Sequence, residues 1–312
     1  MFHKKTAAVG LAAVACVAVA ACSSSGGGSK SGGGSSNPLA GSASSGTVVV
    51  GSANFPEDEL LAQIYADALK AAGVKVSTQL NIGAREVYYP EVVKGAISII
   101  PEYNGALLTT SVDKTSTAAS TADVDAALKA KLPSSVTILN SSAAQDKDSI
   151  TVTQANATKY HLKSIADLSS VAKTWVIGGP SEFETRADGI PGLKNVYGLT
   201  FKSFSPLDES GPITLAALQN GKVQAADVFT TTPQIITDKL LSLSDPKNMF
   251  AAQNVLPLVY KKAASAKVVS ALNAVSAKLT TADLLAMNKS LSINHESYTT
   301  VASNWLSQNG LK

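Results

Sequence analysis

"TVVVGSANFPEDELLAQIYADALKAAGVKVSTQLN", residues 47–81, carries the first decision about the fold. Val48, Val49 and Val50 form a β-branched run that stops at Gly51, as a short buried strand does. Pro56 then opens a segment in which Leu60, Leu61, Ile64, Ala68 and Leu69 recur at helical spacing. Glu57, Asp58 and Glu59 sit at the positive end of its dipole. Gly73 supplies the stop, and "VKVSTQLN" alternates as a second strand. Strand, helix and strand in this order make a parallel pair, because the helix returns the chain to the end where the first strand began.

Outward from that unit the alternation returns. "EVVKG" (91–95) closes a helix, "AISIIPEY" (96–103) is a strand and "VDAALKAKL" (124–132) is a helix. "SVTIL" (135–139), "SITVT" (149–153) and "TWVIGG" (174–179) are strands, followed by a helix in "PITLAALQNG" (212–221) and a strand in "VQAADVFTT" (223–231). This pattern predicts a doubly wound α/β chain, and no longer period recurs that would suggest a solenoid. Turn residues concentrate in 81–90, 178–199 and 204–212, which are expected to be irregular. In parallel α/β sheets ligands sit beyond the carboxyl ends of strands, where such loops meet. "ISIIPEY" ends at such a place: its strand is buried, and Glu102 and Tyr103 lie at its mouth, placed to face a cleft.

At the N-terminus Lys4 and Lys5 precede an apolar run from Ala7 to Ala21 that stops at Cys22. Residues 1–21 read as a signal peptide, and Val19, Ala20 and Ala21 before Cys22 fit the lipobox that leaves a diacylated cysteine at the new terminus. Residues 22–46, Gly- and Ser-rich, then form a tether, which would hold the body roughly 25–30 Å from its lipid on average. The expected location is extracytoplasmic, anchored to the outer face of the cytoplasmic membrane. Cys16 leaves with the signal peptide, so the body has no disulfide and no thiolate chemistry. Without Lys4 and Lys5, 24 basic residues stand against 23 acidic ones, with no basic run to suit a nucleic acid.

The groups of an enzyme are hard to find. His161 and His295 are the histidines left to the body, neither beside a carboxylate at a catalytic spacing, and no metal triad, G-x-S-x-G elbow or phosphate loop occurs. No catalytic residue, metal or cofactor is expected, although a carboxylate-only hydrolase stays open. Only two arginines, Arg85 and Arg186, occur in the chain, both in the segments expected to be irregular. Arg85 is expected to buttress its loop through Glu86 or Glu102.

Five stretches, "VVVGSANFPEDELLAQIYADAL", "GAREVYYPEVVKGAISIIPEYNGALL", "GPSEFETRADGIPGLKNVYGLTF", "FSPLDESGPITLAALQNGKVQAADVFTTTPQI" and "DPKNMFAAQNVLPLV", together resemble a family. It is that of the osmoprotectant-binding lipoproteins (glycine betaine, choline, carnitine) that feed quaternary-amine ABC importers. The resemblance implies a two-lobed periplasmic-binding-protein fold of type 2. One lobe would span 47–146 with 256–312 and the other 147–255, with crossover hinge strands in "DSITVT" and "QNVLPLV". It implies a monomer that hands a small solute to a membrane permease. It also implies a cage of rings around a trimethylammonium group, which has no N–H to donate and binds ring faces at about 0.5–2 kcal/mol each. Tyr103 matches one cage position and Phe229 a second, and Phe55 is placed to add a wall. Where relatives carry tyrosines at the crossovers this chain has Asp148, Ser149 and Asn254; Asn54 and Thr230, beside Phe55 and Phe229, complete the candidate contacts. Arg186 matches the arginine that grips a ligand carboxylate; the alternative is a loop salt bridge with Glu184 or Asp188. Two further readings stay open: the same fold holding another polar or aromatic solute, since the cage is incomplete, and a ligandless surface lipoprotein.

Overall fold

The structure, a computed structural model, describes residues 46–312. The expectations for the signal peptide, Cys22 and nearly all of the tether lie outside them. Two five-stranded sheets organise the chain. The first has the order β2-β1-β3-β10-β4, built from β1 (Val48–Gly51), β2 (Val76–Gln79), β3 (Ile99–Tyr103), β4 (Val136–Ile138) and β10 (Val255–Tyr260). The second has the order β7-β6-β8-β5-β9, built from β5 (Ile150–Thr153), β6 (Val176–Pro180), β7 (Ser203–Leu207), β8 (Ala225–Asp227) and β9 (Leu240–Ser242).

The opening unit is as its pattern requires: β1 and β2 are parallel, Val48 opposite Val76, with the helix Pro56–Ala71 between them. Inside each sheet the strands joined by helices are parallel, while β10 runs against β3 and β4, and β5 against β8 and β9. Those antiparallel strands adjoin the places where the chain crosses from one sheet to the other, and there Gln145 pairs with Asn254 in an isolated antiparallel bridge. The architecture is α/β and two-lobed.

Each half has its own core. Leu60, Leu61, Ile64 and Leu69 pack with Val268, Leu272, Val301 and Trp305 on one side of the first sheet. In the second half Ile150, Val152, Ile165, Leu168 and Ile177 meet around β5 and β6. Each such side chain contributes about 1.5–3 kcal/mol by leaving water. The three helices Ala266–Ser276, Thr281–Ser292 and Tyr298–Gln308 complete the first core.

The irregular segments are more regular than their turn residues suggest. Within 81–90 a helix, Arg85–Lys94, begins after an extended Ala84 and carries Pro90 inside it. The proline lacks only one N–H, and Gly95, at φ +83°, ends the helix in the left-handed region. Segment 204–212 holds most of β7, and 178–199 holds the helix Ile190–Tyr197. Conversely "VQAADVFTT" keeps only three residues as strand, because from Val228 to Thr230 the backbone bonds instead to Ser149 and Lys147 of the crossover.

Candidate functional site

β3 delivers the centre of the site. Glu102 is fully buried and accepts from Arg85 Nε (3.0 and 3.1 Å) and Nη2 (3.0 Å), from Tyr88 Oη (2.8 Å) and from the Tyr103 N–H (3.1 Å). It is therefore not a group for solute; its partners Arg85 and Tyr88 line a cleft that it holds in place. The pairing expected for Arg85 is with Glu102 rather than Glu86.

The cleft has about 580 Å³ of atom-free space, open solvent at its mouth included. Tyr103 and Phe55 from the first half and Phe229 from the second form one of its walls. Phe55 stands between the other two: its centroid is 5.9 Å from that of Tyr103 and 5.2 Å from that of Phe229, the latter an edge-to-face pair. Local chemistry fixes each ring. Buried Asp58, in the first turn of its helix, accepts the Ala53 N–H and shapes the turn that presents Phe55. The Tyr103 hydroxyl donates to Glu57 Oε1 at 2.7 Å. The other Glu57 oxygen accepts from Thr231 Oγ1 (2.6 Å) and from Asn288, so one buried carboxylate ties the ring of one half to the chain of the other. The Phe229 N–H donates to the Ser210 hydroxyl oxygen at 2.9 Å.

Arg186 also lines the cleft, but its fork is occupied. Nε and Nη2 donate to the two oxygens of Glu86 at 3.0 and 2.9 Å, a bidentate pair with the first half. Neither Glu184 nor Asp188 is its partner, which corrects that alternative: the helix Arg85–Lys94 puts Glu86 opposite the loop, where a planar fork meets both oxygens at once. The loop is tight. A Cβ at Gly189 would lie 1.9 Å from the Phe183 carbonyl oxygen, so only glycine allows the turn that brings Arg186 and Asp188 to the cleft. Thr109 of the first half donates to Asp188 at 2.8 Å, a second contact across the halves.

Carboxylates dominate the remaining lining. Asp146, Asp148, Asp188 and Glu209 all face the cleft. Burial, then repulsion from Glu57, holds the Asp146 carboxyl well above its ordinary range; burial and Asp148 raise Asp188. Burial pushes Glu209 up to about 7, against the pull of Arg186. Behind them Asp227, 1% exposed, has no hydrogen-bond partner for either oxygen among the described residues, and burial followed by its neighbour Asp148 raises it strongly.

Of the candidate contacts, Tyr103, Phe229, Phe55, Arg186 and Asp148 come together around this space. Four stand elsewhere. Asn54 is exposed at the turn, and Thr230 bonds to Lys147 and Asp146 in the crossover. Ser149 donates to the Val228 carbonyl, and Asn254 donates to the Ser142 carbonyl while accepting from Thr121. Short polar chains here satisfy the backbone of two crossing strands before they can reach a solute. Phe183, Asp188 and Glu209 were not among the candidate contacts, because no periodicity operates in their loops; the available signal was that they fall in 178–199 and 204–212, two of the segments expected to be irregular. Among the described residues no cluster has the makings of a metal site, and no helix is long and apolar enough to cross a membrane.

Comparison with known proteins gives a consistent result. Residues 46–308 match the profile described as the substrate binding domain of ABC-type glycine betaine transport system, OpuAC. A glycine-betaine-binding protein of Pseudomonas aeruginosa is 24% identical over 286 residues, which cover 87% of this chain and 91% of that protein. A crystal structure of a glycine betaine/carnitine/choline ABC transporter protein superposes with a TM-score of 0.66 at 20% identity, over 85% of this chain and 99% of that one. Lactococcal OpuAC, closed on glycine betaine, superposes with a TM-score of 0.60 at 18% identity, over 85% and 96% of the two chains.

Proposed function

The chain belongs to the family of substrate-binding domains of ABC-type glycine betaine transport systems, and from that premise we propose that it captures a quaternary amine and delivers it to the permease of an importer. Proteins of this family are extracytoplasmic solute binders of ABC transporters. The finer reading adds a lipid on Cys22, a monomeric body and two halves, 47–146 with 256–312 and 147–255, that close on the solute by rotation at the crossovers. One observation carries it: rings from both halves, Tyr103 and Phe55 from one and Phe229 from the other, share a wall of a single cleft. Only a solute held between the halves touches both, so binding favours closure by its differential contact with the closed state.

Calorimetric titration with glycine betaine, choline, carnitine and proline tests the reading. At least one quaternary amine is expected to bind with a dissociation constant well below about 1 mM. Affinity for an unrelated solute, with none of these tighter than about 1 mM, contradicts it. Labelled-lipid incorporation that survives Cys22→Ala would remove the anchor from the account.

A further inference from the structure

We propose that the solute taken by this cleft is a monocation whose far end carries a hydrogen-bond donor, such as a hydroxyl, and that a zwitterion presenting a carboxylate there is turned away. The inference rests on the quaternary-amine reading and specifies the other end of the molecule.

Two guanidiniums and four carboxylates line the space. Arg85 is committed to Glu102 through Nε and Nη2, and Arg186 to Glu86 through the same two positions of its fork. An entering carboxylate therefore finds no free bidentate partner, which is the contact a planar fork provides best. Acceptors, by contrast, are in surplus. Among the described residues Glu209 has no hydrogen-bond partner, Asp148 Oδ2 accepts from the Gln253 amide, and Asp188 Oδ2 accepts from Thr109, which leaves acceptor positions on all three. Asp227 lies buried behind Asp148, with neither oxygen hydrogen-bonded among the described residues, and burial disfavours its charged form, so the charge that an entering group meets comes from the acids of the lining. A ligand carboxylate placed among these groups would be repelled at short range in a partly dry space, where Coulomb interactions are several-fold stronger than in water. A positive head over the rings of Phe55, Tyr103 and Phe229, with a donor turned to the acids, satisfies both sides.

The test is calorimetric titration of the full-length chain in detergent micelles at pH 8 with choline and with glycine betaine, for the wild type, Glu209→Gln and Glu86→Gln. Choline is expected to bind at least tenfold more tightly than glycine betaine. Glu209→Gln should weaken choline at least fivefold without weakening glycine betaine. Glu86→Gln, which releases the fork of Arg186, should narrow the gap by improving glycine betaine. Wild-type binding of glycine betaine as tight as choline, or Glu209→Gln without effect on choline in a protein that still melts cooperatively, overturns this selectivity and leaves the quaternary-amine reading standing. Binding of neither solute, nor of carnitine, overturns both.

Discussion

The chain's two arginines make the same forked contact with a glutamate in two settings. Arg85 and Glu102 lie inside the first half, with side chains 8% and 0% exposed. Arg186 and Glu86 join the two halves, with side chains 16% and 47% exposed. Geometry is shared, so surroundings decide the consequence. Removing Arg85 leaves a carboxylate with no access to water; removing Arg186 leaves one that water reaches at once. The first pair is a permanent fastening of the cleft wall. The second is the contact that the two halves would make and break in the proposed closure on a solute.

The largest effect should come from the buried pair. Arg85→Met is expected to cost about 3–5 kcal/mol in urea denaturation, since Glu102 is stranded beside two tyrosines; a loss under about 1 kcal/mol would erase the contrast. Tyr103→Phe comes next. It removes the donor to Glu57 Oε1 and should cost about 1–3 kcal/mol, read from the same unfolding curves. A cost near zero would mean Glu57 does not depend on the ring.

Acidity probes the second half. Glu209 sits at about 7 against an ordinary 4.5, raised by burial and by Glu182 and Asp148, and lowered by Arg186 and Arg85. The folded protein holds this proton more firmly than the unfolded chain. Its contribution to stability is therefore whole below about 4.5 and is lost as the pH rises through about 7. The melting midpoint of the ligand-free protein should fall between pH 5 and pH 8. Glu209→Gln should flatten part of that fall, by an amount on the order of 1 kcal/mol or less after solvent screening. Glu57, Asp58, Asp146, Asp188 and Asp227 are raised by burial in the same direction. A midpoint that climbs over this window contradicts the assignment. Arg186→Gln should change stability least, by about 0–1 kcal/mol, while small-angle scattering shows a more open ligand-free protein. A loss like that of Arg85→Met would make the two pairs equivalent.

Much of the fold was legible because periodicity reports burial. Leu60, Leu61, Ile64 and Leu69 announce their helix, and Val48 to Val50 their strand. Where turn residues outvote periodicity, as around Pro90 or in Ser203–Leu207, regular structure went unseen, because packing there overrides local preference. At the site Tyr103 could be found from its place at a strand mouth, while Phe229 and Phe55 were found through the family resemblance. The fate of Arg186 could not: its partner Glu86 lies a hundred residues away, and only the fold brings them together. The same holds for Asp188 and Glu209, whose role depends on which carboxylates they face.

The central claim is that rings from opposite halves hold one solute. Titrating choline into the wild type, Tyr103→Ala and Phe229→Ala tests it most directly. Each variant should lose about 1–3 kcal/mol of binding free energy, five- to 150-fold in affinity, while still unfolding in a single cooperative transition. Unchanged affinity in either well-folded variant would show that the solute does not bridge the two halves.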